Sequence, residues 1–493
     1  MTEKDDVAAA VAVADELGFR LDRSAVETAV DAAGDLANTA ETVVAPPVST
    51  VDSDETVDHL RLDDDNGALL WGYETPRRVG SGPLSDLDIA IKDNIAVSGL
   101  PLTCGTDSLE YTPTFDATLV ERLLADGAGL VGKANMDAFA FGPSGEFSGV
   151  TDVRNPIDSS RIPGGSSSGS GVAVAAGDVD ATIGTDTGGS VRIPAACCGA
   201  VGIKPSTGAV SRHGIVPFAP SLDTAGPIAR TVENAYQVLE SIRGSDIRDA
   251  TTGPPGQREE ISNSVDGLVV GVPTDFLEAC SEPVHDTVLN ATEELEAVAD
   301  FQPVELPLGA IEEAYLLIGA TEFSWWLRQR GTVRGVGSTY AEGWARALSE
   351  FVSNGGLSEH IAKRVLPSAY LDATENGEPY RAARREARAF AGRVDTALAK
   401  VDVLCVPTIR TLPLELGTVT ANDRLFDLLG NTAPFNLSGH PAVSVPIDAV
   451  NDLPVSVQFI AAHGADDLAV DAAATVETVV NESDSLTPPD LPV

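Results

Sequence analysis

Residues 163–171 read PGGSSSGSG, one proline followed by eight glycines and serines. Glycine and serine leave the backbone unconstrained, so a short run of this kind is ordinarily a linker. The next residues argue otherwise. VAVAAG (172–177) opens an apolar helix, so the run ends at a helix N-terminus, where unpaired N–H groups point outward. A phosphate cradle would close on Gly-Lys-Ser/Thr, and no lysine stands in the run. A third reading, backbone held in one shape for chemistry, depends on the neighbouring sequence.

A second small-residue element, GTDTGGSVRIPA (184–195), comes after the strand-like DATI (180–183). Here Ser190 comes after two glycines, so consecutive backbone N–H groups can turn toward one point unobstructed, as an oxyanion site requires. The same pattern also fits a tight strand-to-helix turn with a capping serine. A serine nucleophile needs a base. The six histidines fall in no triad motif, and Val191 and Arg192 after Ser190 break the G-x-S-x-G pattern. Lysine is the other source. The chain has six lysines, three of which, Lys92, Lys133 and Lys204, flank the two Gly/Ser elements. Lys92 closes the apolar run LDIAI (87–91), so a strand can carry it into a partly desolvated site. Burial there would lower its pKa and make a neutral amine available as base. The plainer alternative is a surface lysine whose stem lies along the strand end.

Around these elements the chain alternates short β-like runs with amphipathic helices, the pattern of an α/β layered fold. DLDIAI (86–91) turns Leu87, Ile89 and Ile91 inward, DATLVERLLADGAG (116–129) reads as a helix capped by Asp116 and closed near Gly127, and LVGKAN (130–135) reads as a strand. Further helices are expected at 231–242, 285–299 and 377–400. The segment 243–265 reads as a loop inside the domain, because β-like residues resume at GLVVGVP (267–273). Residues 5–17 and 24–40 have helical spacing of Ala, Val and Leu, and the Pro-, Ser- and Asp-rich APPVSTVDSDETVD (45–58) reads as a linker. The expected division is therefore an N-terminal helical segment and linker, 1–62, and one large domain, 63–493.

The 493 residues carry 74 acidic and 32 basic side chains, a formal net charge of −42. This balance argues against nucleic acid as a generic electrostatic partner. Acids spread along the whole chain would repel one another at low ionic strength, so the composition points to a halophile's surface rather than to a function. Five cysteines, odd in number and without metal-site spacing, point to a reduced, cytoplasmic protein with no metal. The acidic N-terminus is unlike a signal peptide, and no segment has the ~18–20 apolar residues that a membrane span needs.

Taken together, IKDNI (91–95), PGGSSSGSG, GTDTGGSVRIPAACCGAVGIKPS (184–206), SLDTAGPIART (221–231) and NLSGHPAVSVP (436–446) resemble the amidase signature family of serine hydrolases, over roughly residues 86–460. The resemblance implies a mixed central β-sheet covered by helices on both faces. It implies Lys92 as base, Ser166 as a bridging serine after a cis peptide bond, and Ser190 as nucleophile; Ser166 and Ser190 stand 24 residues apart, as the family requires. It also implies an oxyanion hole from the N–H groups of Thr187, Gly188, Gly189 and Ser190, a substrate pocket at Phe141, Gly142, Pro143 and Ser144, and no cofactor. Ser168 replaces a glycine of the commoner family pattern. Asp186 is expected to orient the oxyanion turn or bind Arg192, Arg154 to anchor the loop before Ser166, and Cys197 and Cys198 to be small buried apolar residues.

Two activities within this family are in view. The first is a free-standing hydrolase that converts a carboxylic acid amide to the acid and ammonia. The helical leader resembles that of some bacterial amidases and suggests a homodimer formed through these helices, with a small-molecule amide as the other partner, and no nucleic acid or membrane. The alternative is the A subunit of a glutamyl-tRNA(Gln)/aspartyl-tRNA(Asn) amidotransferase, which hydrolyses glutamine and passes ammonia to a partner. The long leader before Lys92 favours the first, as does LLGNTAPFNLSG (428–439), which lacks the aspartate that such subunits place there for the glutamine amino group; Asp427 stands slightly upstream. A catalytically silent scaffold is disfavoured because all three catalytic positions are filled. Trp325, Trp326 and Tyr340, in the variable 310–380 region, either wall an acyl site or belong to the core.

Overall fold

A computed structural model describes residues 3–16, 19–42, 60–62, 64–253, 261, 267–334, 337–341, 343–419, 424–483, 485–489 and 491. The chain divides into two compact units, residues 1–53 and 54–493. The first contains two helices, Glu3–Glu16 and Arg23–Thr42, on the segments where helical spacing is read from the sequence. The linker expected at 45–58 lies outside the described residues.

The second unit is organised by one sheet of twelve strands: β1 (Leu60–Arg61), β2 (Leu69–Arg77), β3 (Asp88–Lys92), β4 (Gly129–Ala134), β5 (Ala181–Asp186), β6 (Val201–Lys204), β7 (Thr224–Ala229), β8 (Val269–Pro273), β9 (Asp300–Val304), β10 (Val403–Pro407), β11 (Ala442–Val450) and β12 (Leu453–Ile460). Their order is β1-β2-β4-β3-β5-β7-β6-β11-β12-β10-β8-β9. The sheet is mixed. β4-β3-β5 and β10-β8-β9 run parallel within their groups, and antiparallel pairs join the rest. Parallel strands are covered on both faces, and the core reflects this. Ile89 and Ile91 of β3 pack in one apolar cluster with the helices Val232–Ile242 and Asp466–Glu482, while Ala90 between them packs in another with Val172–Ala175. Burying each such Val or Ile contributes about 1.5–3 kcal/mol. All of Asp88's successors in β3 are buried, so the strand does not alternate in and out as a half-exposed strand would.

The helices expected at 116–129, 231–242, 285–299 and 377–400 occur at Thr118–Ala125, Val232–Ile242, Glu282–Leu295 and Glu378–Leu398. Asp116 does not cap the first of these. Its carboxylate is held by the Arg77 guanidinium at 3.0 Å and by the Ser98 amide at 2.8 Å, so it ties β2 to the loop after β3.

Candidate active site

Lys92 ends β3, and the adjacent parallel strand β5 ends at Asp186, with Ile91 opposite Ile183. The carboxyl ends of parallel strands are where open α/β sheets place their ligands, because the loops beyond them diverge there. Lys92 is fully buried. Its Nζ donates to Ser166 Oγ at 2.8 Å on one side and to Thr185 Oγ1 at 2.9 Å on the other. Burial drives its pKa down to about 7, against the carboxylates of Asp137, Asp186 and Asp223, which favour the charged form. A lysine so placed holds a large neutral fraction near neutral pH.

Ser166 comes after a cis Gly165–Ser166 peptide bond, at the position where the resemblance puts one. The loop around it is stitched to the pocket segment by backbone: Gly164 N–H donates to Ser144 O at 3.1 Å, Gly165 N–H to Pro143 O at 2.8 Å, and Asp137 N–H to Ser166 O at 3.1 Å. Gly164 has φ +76°, which favours glycine. Ser168 opens the helix Ser168–Ala176, so the serine that replaces a family glycine is accommodated in helical backbone. The run read first as a linker is therefore wholly buried, at the junction of a helix and the sheet.

Ser190 lies in the turn after β5. Asp186 grips this turn with its carboxylate, which accepts the Gly189 amide at 2.8 Å and the Val191 amide at 3.1 Å. Burial alone would raise the Asp186 pKa, but the Arg192 charge and hydrogen bonds, with Lys204 and Asn436, hold it at about 2. Arg192 is itself fixed by Gln458 Oε1 at 2.8 Å and Asn436 Oδ1 at 2.7 Å. The expected oxyanion set needs one correction here: the Gly189 N–H is already donated to Asp186, which is why it is not free for a substrate oxygen. The N–H groups of Thr187, Gly188 and Ser190 have no protein acceptor among the described residues. Gly188 packs against Tyr315, and Gly189, at φ +133°, packs against Thr432, so neither position has room for a Cβ.

Ser190 opens onto a cavity of about 340 Å³. Phe141, Gly142 and Pro143 line it, together with Phe218, with Tyr315 and Leu316 from the 310–380 region, and with Leu425, Phe426 and Leu429. Ser144 does not line it, because its carbonyl is turned to Gly164 and its side chain is fully buried. Arg364 is the one charged residue among the described residues of the wall. It donates to His360 Nδ1 at 2.8 Å, while His360 Nε2 contacts the Phe141 carbonyl at 2.7 Å. Burial, reinforced by the Arg364 charge, pushes the His360 pKa down to about 4, so the ring is neutral and donates to that carbonyl.

Other expected residues lie elsewhere. Trp326 is core, donating to Phe218 O, whereas Trp325 and Tyr340 are exposed and off the cavity. Arg154 pairs with Asp152 at the surface and anchors nothing near Ser166; Asn155 does this instead, donating to Ile162 O at 3.0 Å and Cys197 O at 2.9 Å. Cys197 and Cys198 are buried, and burial pushes the Cys197 thiol up to about 12. Sequence reasoning did not single out Thr185, Asp137, Tyr315 or Arg364. Only Asp137 had a local signal, its position four residues before Phe141 in NMDAFAF (135–141).

With this geometry in place, comparison with known proteins defines the class: the chain belongs to the Amidase family, whose profile matches residues 66–470. Its relatives include the A subunit of the glutamyl-tRNA(Gln) amidotransferase of Natronomonas pharaonis, 41% identical over 398 residues covering 78% of this chain and 94% of that protein. The corresponding A subunit of Halobacterium salinarum is 38% identical over 82% of this chain and 97% of its own. Among solved structures, the A subunit of the Thermotoga maritima glutamyl-tRNA(Gln) amidotransferase superposes with a TM-score of 0.73 at 34% identity, covering 89% of this chain and 93% of that one. The peptide amidase of Stenotrophomonas maltophilia gives 0.69 at 30%, covering 84% and 85%.

These relatives correct the expected partners. A small-molecule amide with self-association through the N-terminal helices does not describe proteins that are, by name, one subunit of a larger amidotransferase. No helix among the described residues is long and apolar enough to cross a membrane.

Proposed function

We propose that this chain hydrolyses a carboxamide through an acyl-enzyme on Ser190, and that it does so as the ammonia-releasing subunit of an amidotransferase, with glutamine as the amide. The observation that carries the chemistry is the 2.8 Å hydrogen bond from fully buried Lys92 to Ser166 Oγ, at the strand ends beside Ser190. Neutral Lys92 takes the Ser166 proton as Ser166 takes that of Ser190, and the freed Ser190 oxygen attacks the amide carbonyl carbon. The N–H groups of Thr187, Gly188 and Ser190 receive the oxyanion, where one such donor is worth about 3–4 kcal/mol. Return of the proton to the departing nitrogen releases ammonia, and water then cleaves the ester. The assembly is supported by the relatives, which carry the name of amidotransferase A subunits and are 38% and 41% identical to this chain.

One observation favours a second reading, in which the amide is not glutamine. The wall beside Arg364 is built from Leu425, Phe426 and Leu429, while Asp427 turns away to Arg424 at 2.8 Å, so no carboxylate among the described wall residues faces an α-ammonium group. Ammonia release from glutamine and from aliphatic and aromatic amides in molar KCl, with and without the other amidotransferase subunits, separates the two. Glutamine turnover that rises with those subunits supports the first reading. Turnover of apolar amides alone, unaffected by them, replaces it with the second.

A further inference from the structure

Asp137 is fully buried where the pocket wall meets the loop of Ser166. Its backbone N–H donates to the Ser166 carbonyl at 3.1 Å. Its carboxylate accepts the Phe147 amide at 2.7 Å and the Gly145 amide at 3.0 Å, which closes the turn that carries Phe141, Gly142 and Pro143. The same carboxylate lies so close to Gly142 and Gly165 that a Cβ at either would collide with it. One residue thus binds the substrate wall and the serine that receives the Lys92 hydrogen bond into a single piece.

We propose that Asp137 is a positioning residue of the reaction, which holds the Ser166 carbonyl and the pocket wall in register and sets a carboxylate that acts electrostatically on Lys92. The inference rests on the reading of Lys92 and Ser166 as the proton relay. The charged groups facing Asp137 are Lys92 at the end of β3, Glu146 in its own loop and Arg364 on the helix Glu359–Thr374. Burial raises the Asp137 pKa to about 7, against the Phe147 and Gly145 amides and the Lys92 charge. Its carboxylate in turn favours charged Lys92. A variant that cannot carry the charge therefore lets Lys92 lose its proton at lower pH.

The test is the pH dependence of kcat/KM, and of fluorophosphonate labelling of Ser190, in wild type and Asp137→Asn. The expected result is an acid limb displaced downward by roughly one pH unit in the variant, along with reduced turnover. A residue that only supported the fold would change the rate at every pH and leave the limb in place, and that outcome overturns the proposal. Infrared titration of the wild type needs no folded Asp137 variant. A buried carboxyl that deprotonates in the neutral range, and does so at higher pH in Lys92→Met, supports the coupling; absence of such a carboxyl overturns it. Failure of the underlying relay reading looks different, because Lys92→Ala would then label Ser190 at the wild-type rate.

Discussion

Asp186 and Arg192 form a fully buried ion pair, Nη2 to Oδ1 at 3.0 Å, directly against the backbone turn that presents Ser190. Because the Asp186 carboxylate also accepts the Gly189 and Val191 amides, the shape of that turn depends on this charge. Removing one partner leaves the other charged and buried, at a cost of about 3–5 kcal/mol. Arg192→Met is therefore expected to lower the unfolding free energy by that order, as read by urea denaturation in molar KCl. Loss of less than about 1 kcal/mol would remove Asp186 and Arg192 as the turn's support.

The same pair has a pH signature. The folded Asp186 pKa lies at about 2, below its ordinary 3.8, so its contribution is present above the ordinary value and is lost as pH falls toward 2. Acid unfolding of wild type should steepen across that interval, and Asp186→Asn should flatten it there while reducing stability at neutral pH.

Lys92 titrates on the other side of that range. Its pKa of about 7 makes the protonated, inactive form dominant in acid, so kcat/KM should rise through about pH 7. Lys92→Arg keeps the charge but cannot release it, and should abolish turnover across the whole range. An arginine variant with a normal rate would eliminate proton abstraction at this position.

At Gly188 an added Cβ would fall on the Tyr315 ring and hydroxyl, and at Gly189 it would meet Thr432 from a backbone at φ +133°. Either alanine variant must displace the turn or the cavity wall. Misplacement on the order of 1 Å commonly costs about 100-fold in rate. Both variants should retain far-ultraviolet circular dichroism close to that of wild type and lose kcat by that order.

Much of this was legible in the chain. The β3–β5 ladder and its helices arise from apolar runs such as DIAIK and GVAVAA, and the order of motifs carried Lys92, Ser166 and Ser190. The residues that escaped are those whose roles depend on distant segments meeting. Arg364 reaches the cavity from the helix Glu359–Thr374, far beyond Ser190 in the chain, and no periodicity announces that. The Gly189 amide looked available because a sequence shows donors but not which acceptor takes them; Asp186 lies only three residues away, yet its carboxylate turns back onto the turn because Arg192 and Asn436 hold it there. Arg154 and Asn155 are adjacent, and only burial separates the exposed one from the one that anchors the loop.

The central claim is that Ser190 is the nucleophile and is activated through Ser166 by neutral Lys92. Mass spectrometry of the fluorophosphonate-treated protein, peptide by peptide and across pH, tests it most directly. One adduct is predicted, on Ser190, forming at a rate that climbs through about pH 7, absent in Ser190→Ala and slowed by orders of magnitude in Lys92→Ala and Ser166→Ala. An adduct on a different serine, or wild-type labelling rates in Lys92→Ala, would contradict it.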